Sequence, residues 1–162
     1  MVMAEHKEKD EIESRYEELA KRYKLPKFKE FDREFEISAL DSENFLLKNI
    51  LRRAAEKLEF YIDFVGSLVH PDGSSISSIY EMRFFSENEK NEMYTVFKKM
   101  MKNHRQVIEL LLSSDESEQA QFINEFFPGW NEIKVNLKVY FGKMKDSWEK
   151  ESSIEEDLGY FG

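Results

Sequence analysis

The sequence predicts an all-α protein: a single-domain, irregular bundle of four to six helices with a long central helix. Its 162 residues suffice for one domain with a sizeable core. Only 6 glycines and 3 prolines occur, and they fall between long uninterrupted runs. Within those runs, apolar residues recur every three or four positions, which is the period of a helix.

The first two predicted helices occupy residues 5–24 and a short stretch after Pro26. An otherwise charged first helix carries one narrow apolar stripe, which predicts that it lies on a surface. The stripe consists of Ile12, Tyr16, Leu19 and Tyr23. The second helix is predicted from three phenylalanines at helical spacing, with an irregular extended segment as the alternative. They are Phe28, Phe31 and Phe35.

The central helix is predicted between Asp41 and Val69, the longest apolar pattern of the chain. Near its end, Phe60 and Phe64 add apolar residues on the remaining faces. A helix that is apolar nearly all round is typically buried, so we expect this one to be buried too. The sequence HPDGSS at 70–75 predicts a break, because proline and Asp-Gly favour turns. A short helix over 76–84 is expected to follow.

A capping box predicts the start of the next helix. The Ser86 hydroxyl can accept from the Glu89 amide while the Glu89 carboxylate accepts from the Ser86 amide. A heptad-like seam follows this start. It comprises Met93, Phe97, Met100, His104, Val107 and Leu111.

The remaining helices are predicted on either side of Pro128-Gly129. Asp115 and Glu118 form a second pair resembling a capping box, so a helix should begin there. Proline followed by glycine predicts a kink or a break. The last long helix is then expected over about 130–150, which makes residues 1–150 a helical bundle domain.

An acidic and aromatic tail, residues 151–162, follows that domain. It has four apolar residues among its carboxylates. They are Ile154, Leu158, Tyr160 and Phe161. If the tail is helical, three of them share one face, as in peptides that bind a groove. The sequence leaves open whether this groove belongs to the same molecule or to a partner.

The composition excludes several functions more firmly than it supports any one. A formal net charge of -9 disfavours nucleic acid and anionic membranes as partners. Zero cysteines exclude disulfides and thiolate chemistry. The charged N-terminal sequence and the lack of a long apolar run predict a cytoplasmic protein without a membrane span. Catalytic signatures for di-iron, zinc, phosphate-loop and G-x-S-x-G sites are missing from the sequence.

Two candidate sites remain besides the tail. His104 lies in the predicted seam, where a buried ring needs a partner for each nitrogen, and with Tyr61 it could form a ligand-binding, metal-binding or pH-sensing site. The second candidate is a basic segment interleaved with aromatic residues, as in grooves for single-stranded nucleic acid. Its cations are Lys21, Arg22, Lys24, Lys27 and Lys29.

These observations favour a non-catalytic adaptor or regulatory protein that binds another protein or a second copy of itself. No cofactor is predicted. The alternatives are a bundle that binds a small ligand or metal near His104, and a nucleic-acid-associated protein that uses residues 21–29. The composition is typical of small helical proteins from prokaryotes or archaea.

Overall fold

The computed structural model describes the backbone of residues 2–40, 44–70 and 76–150, with side chains from Glu11 onwards. Six α-helices and one short 3-10 helix occur in these ranges, which contain no strand, so the all-α prediction is confirmed. In chain order they are α1 (Val2–Tyr23), α2 (Phe28–Phe35), the 3-10 helix (Ile37–Ala39), α3 (Leu46–Val69), α4 (Ile76–Met82), α5 (Glu87–Leu112) and α6 (Glu116–Ser147).

The described residues fall into two compact units. Unit 1 takes its residues from Met1–Phe60 and Met101–Asn131, and unit 2 from Tyr61–Met100 and Glu132–Gly162. Helices α3, α5 and α6 each contribute residues to both units. The division of the chain into a bundle and a tail stays a prediction.

Unit 1 has an aromatic core built around Phe31. Its ring centroid lies 4.7 Å from that of Phe35, 5.2 Å from that of Phe127 and 6.2 Å from that of Tyr16. The stripe predicted for α1 supplies Tyr16, and the phenylalanines predicted for α2 supply Phe31 and Phe35, all of them buried. Such ring pairs contribute about 0.5–1.5 kcal/mol each beyond the area that they bury. The pattern therefore identified both helices and their buried faces.

A lysine and a tryptophan extend this core in a way that the sequence pattern did not predict. The Lys57 ammonium lies 5.2 Å from the Phe35 ring centroid and 5.4 Å from the Trp130 ring centroid. It also donates to the Glu34 backbone carbonyl. The Trp130 indole N–H donates to the Glu34 carboxylate at 3.2 Å. Three helices thus meet through one cation, one carboxylate and two aromatic rings.

Two side-chain hydrogen bonds fix the connection between α1 and α2. Lys24 follows α1 in the left-handed conformation, with φ of 56°. The Tyr16 hydroxyl donates to the Pro26 carbonyl at 2.8 Å, and the Asn124 side-chain amide donates to the Tyr23 carbonyl at 2.9 Å. The second bond satisfies a carbonyl at the end of a helix, where no backbone amide is available.

Of the kink or break predicted at Pro128-Gly129, the break is wrong, because α6 continues through both residues. A proline inside a helix lacks one backbone donor and costs about 3 kcal/mol. Phe126 and Trp130, on either side, are both buried in unit 1. Burial of each large side chain is worth about 1.5–3 kcal/mol, which offsets the cost of the proline. Tertiary packing therefore overrides the local signal.

The expectation that α3 is buried on all sides is also wrong. Phe60 is 66% exposed, and Phe64 is exposed as well. The buried face is the regular stripe that includes Leu58 and Val65, and Ile62 beside it is buried as well. Phe64 instead contacts Phe141 edge to face, with 5.1 Å between the ring centroids. Extra aromatic residues on a helix can thus lie at a partly exposed surface.

Unit 2 contains the predicted capping box at the start of α5. The Ser86 amide donates to the Glu89 carboxylate at 2.7 Å, and the Glu89 amide donates to the Ser86 hydroxyl at 3.3 Å. Lys143 of α6 donates to both oxygens of the same carboxylate, at 2.6 and 2.8 Å. These hydrogen bonds lower the pKa of Glu89 to about 2, with the Lys143 bond as the largest cause. The cap therefore also ties α6 to the start of α5.

The end of α6 packs on α4 within unit 2. The Tyr80 hydroxyl donates to the Ser147 carbonyl at 3.0 Å, and both residues are buried. Trp148, directly after α6, is 55% exposed. Its ring still lies 4.5 Å from the Tyr80 ring, and its indole N–H donates to Glu81 at 2.7 Å. An indole with a polar partner tolerates such a half-exposed position.

Candidate functional site

An open groove of about 550 Å³ lies in unit 1 where α5 ends and α6 begins. We call it the α5–α6 groove. Both helices line it with polar and apolar side chains. The lining residues are Gln106, Glu109, Leu110, Leu112, Ser113, Glu118, Gln121, Phe122 and Glu125.

A tight turn over residues 113–115 shapes the groove. The Asp115 amide donates to the Ser113 hydroxyl at 3.0 Å, and the Asp115 carboxylate accepts from the Ser117 amide at 2.8 Å. The buried Gln119 side chain donates to the Ser113 carbonyl at 3.1 Å. The pair predicted from Asp115 and Glu118 is only half formed, because the Glu118 carboxylate accepts from the Ser113 hydroxyl at 3.1 Å instead. Asp115 alone caps α6.

The groove carries negative charge. Its lining includes three glutamates, Glu109, Glu118 and Glu125, and no lysine, arginine or histidine. None of the three forms an ion pair within the described ranges. The last turn of α5 has no basic residue either, although a helix C-terminus favours a cation. The first turn of α6, by contrast, already has Glu116 and Glu118 at its positive end.

An exposed leucine gives the groove its apolar contact surface. Leu112, the last residue of α5, is 87% exposed. One turn earlier Ile108 is 43% exposed. Phe122 lines the groove but is itself buried, so its ring also belongs to the core of unit 1. The groove therefore combines an exposed aliphatic side chain with three carboxylates.

The structure places His104 and Tyr61 in different units. His104, in unit 1, is 9% exposed, and its Nδ1 accepts from the Arg105 guanidinium at 3.3 Å, since a guanidinium can only donate. Tyr61, in unit 2, stacks on Phe141 with 6.0 Å between the ring centroids. Met93 and Met100 of the predicted seam are buried, as is Met144. A ligand site at His104 stays a prediction.

The basic segment is exposed, but its aromatic residues are not freely presented. All five of its cations are exposed. Phe28 is buried in unit 1, and the Tyr23 hydroxyl donates to Glu116 at 3.5 Å. Stacking on bases requires open ring faces, so this arrangement favours nucleic acid less than the sequence suggested.

A second, smaller cavity of about 190 Å³ lies in unit 2. His70 and Tyr94 contribute to it, with their ring centroids 5.7 Å apart. The Lys98 ammonium lies 4.9 Å from the Tyr94 ring centroid on the same helix. These are ordinary packing contacts between aromatic and cationic groups.

The remaining predicted contact residues lie outside the described part of the chain. They are Ile154, Leu158, Tyr160 and Phe161. Their role in binding a partner stays a prediction.

Sequence reasoning missed the α5–α6 groove. The signal available was the run ELLLSSDESE at 109–118, where three consecutive leucines meet a polar turn. Consecutive residues on a helix point about 100° apart, so all three leucines cannot face one core. The last of them is the exposed one, Leu112.

Comparisons with known proteins add no functional information: no family model, no curated protein and no solved structure matches the chain. Among the described residues, no group of three histidine, cysteine, aspartate or glutamate side chains could hold a metal ion. None of the described helices is both long and apolar enough to cross a membrane.

Proposed function

We propose that this protein is a non-catalytic helical adaptor or regulatory protein that binds a segment of another protein in the α5–α6 groove. The observation that carries the proposal is the exposure of Leu112 in a concave site. Single exposed apolar residues are common on protein surfaces. Here the leucine lies in an open groove whose polar lining can orient a bound segment.

Burial of the Leu112 side chain by a partner would contribute favourable free energy to binding. Full burial of a leucine side chain is worth about 1.5–3 kcal/mol. At 87% exposure almost none of this is realised in the isolated chain. A partner side chain that covers Leu112 would recover it. Aliphatic anchors in a groove are how many proteins recognise short segments.

The test is a pull-down with purified tagged protein and a Leu112→Asp variant. Because Leu112 is exposed, the variant should fold, which circular dichroism and thermal unfolding would check. A partner that binds in the groove should be lost from the variant, since an added carboxylate there is both polar and repelled by the glutamates. The partner is then purified and its binding to both forms measured directly.

Val135→Asp provides the matched control, because Val135 is also exposed but lies in unit 2. The proposal predicts that this control retains the partner. If Leu112→Asp and Val135→Asp retain the same proteins with the same affinity, binding through the groove is refuted.

A further inference from the structure

We infer that the segment bound in the α5–α6 groove is a basic one, with lysines or arginines on both sides of an apolar anchor. This inference deepens the proposed function and rests on it. The partner is thus defined by its chemistry: cations for the carboxylates and one aliphatic or aromatic side chain for Leu112.

The first argument is charge complementarity. Glu109 is contributed by α5, and Glu118 and Glu125 are contributed by α6, so negative charge lines both walls of the groove. The carboxylates of Glu118 and Glu125 accept hydrogen bonds from Ser113 and Gln121, at 3.1 and 2.9 Å, which are neutral donors. These contacts orient the carboxylates without pairing them with a cation. A bound cation would supply the ion pair that no described side chain provides.

The second argument concerns the partial charges at the two helix ends. The partial negative charge at the end of α5 lies beside Leu112, and no lysine or arginine occupies the last turn of this helix. At the start of α6, Asp115 and the acidic first turn already neutralise the positive helix end. The two helix ends therefore do not cancel. Their sum adds to the negative potential of the groove.

The basic segment of a second copy of this chain, residues 21–29, is a weaker candidate for the bound segment. Its five cations are exposed, which would satisfy the charge requirement. Two of its apolar residues, Leu25 and Phe28, are buried in their own unit. This segment thus offers cations without Leu25 or Phe28 as an anchor for Leu112. A partner protein that presents both cations and an exposed apolar side chain fits the groove better.

The experiment uses three labelled synthetic peptides of about 14 residues, long enough for one groove-binding motif. The first alternates lysine pairs with leucine, the second replaces every lysine by glutamate, and the third replaces every leucine by serine. Binding to the 162-residue chain is followed by fluorescence anisotropy. It is measured at about 50 mM and about 300 mM NaCl, because screening weakens exposed charge contacts. The first peptide should bind best, and more weakly at the higher salt concentration.

Two triple variants test whether the groove glutamates are responsible. The groove variant combines Glu109→Gln, Glu118→Gln and Glu125→Gln. The control variant changes three exposed glutamates of unit 1 outside the groove and alters the net charge equally. It combines Glu11→Gln, Glu17→Gln and Glu59→Gln. The groove variant should weaken binding of the lysine peptide about tenfold, from three exposed charge contacts, and the control variant less than about twofold.

Each other outcome has a definite meaning. Equal binding of the glutamate and lysine peptides, equal effects of the two triple variants, or no peptide binding would overturn the inference of a basic segment. Self-association of the chain at the peptide concentrations used, lost in the groove variant, would assign the groove to a second copy instead. If the peptides fail but Leu112→Asp still loses its partner, the proposed function stands and only the charge inference falls.

Discussion

Two buried tyrosines of unit 2 should respond oppositely to loss of their hydroxyl groups. Tyr140 and Tyr80 are both almost fully buried. The Tyr140 hydroxyl has no hydrogen-bond partner among the described residues, whereas the Tyr80 hydroxyl donates to the Ser147 carbonyl at 3.0 Å. Replacement by phenylalanine keeps both rings. The pair of variants therefore isolates the contribution of each hydroxyl group.

The expected magnitudes follow from the cost of burying polar groups. An unpaired buried hydroxyl costs about 1–3 kcal/mol, so Tyr140→Phe should raise the free energy of unfolding by about 1 kcal/mol. Tyr80→Phe should lower it by about 1 kcal/mol, because a typical hydrogen bond is lost. The loss is moderate, since the Ser147 carbonyl also accepts from the Lys150 amide at 3.4 Å. For a chain of this size, 1 kcal/mol corresponds to about 2–4 °C in Tm.

Urea unfolding followed by circular dichroism measures both changes, with tryptophan fluorescence as a second probe of two-state behaviour. If Tyr140→Phe destabilises the protein as much as Tyr80→Phe does, the Tyr140 hydroxyl must have a partner in solution, and the reasoning is refuted.

The dependence of protein stability on pH in the alkaline range gives a second test of the same hydroxyl group. Burial, followed by the nearby Glu92 and Glu89, raises the pKa of Tyr140 above its ordinary value of 10.0. A pKa raised in the folded state contributes stability that is complete below pH 10 and is lost as the pH rises above it. The difference in free energy of unfolding between Tyr140→Phe and the wild type should therefore grow above pH 10. An advantage that is constant with pH would contradict the assignment.

Two further predictions concern α6 and the capping box. Gly142→Ala should raise the free energy of unfolding by about 0.5–1 kcal/mol, since an added Cβ would meet no atom within 4 Å. Gly66→Ala is the comparison, because its added Cβ would lie 3.2 Å from a phenylalanine ring. This second variant should gain less stability or lose some. Glu89→Gln should make the free energy of unfolding depend less on pH in the acid range. Hydrogen bonds from Lys143 and the cap lower the pKa of Glu89 to about 2. The stability that Glu89 contributes is therefore present above about pH 4.5 and is lost as the pH falls towards 2. Urea titrations across pH measure this, with Glu87→Gln, at an exposed position of the same turn, as the control.

The features that could be predicted from the sequence are those that depend on residues close together in the chain. The buried face of α2 follows from phenylalanines at 28, 31 and 35, and the start of α5 follows from Ser86 and Glu89. Both depend on residues within one or two turns of each other. Pro128 and Phe60 were misjudged because their outcome depends on packing partners far away in sequence. The contact of Lys57 with Phe35 and Trp130 depends likewise on residues brought together only in the folded chain.

The α5–α6 groove could not be predicted for a related reason, and that reason supports its role. Leu25, in the connection after α1, is buried, whereas Leu112, the last residue of α5, is exposed. After α5 the chain reverses within residues 113–115, held by the Ser113 and Asp115 side chains, which leaves no loop to cover Leu112. The side-chain amide of the buried Gln119 also holds the turn, because it donates to the Ser113 carbonyl. A turn restrained in this way loses little conformational entropy when a segment binds, so the groove is preorganised and most of the contact energy remains available for affinity.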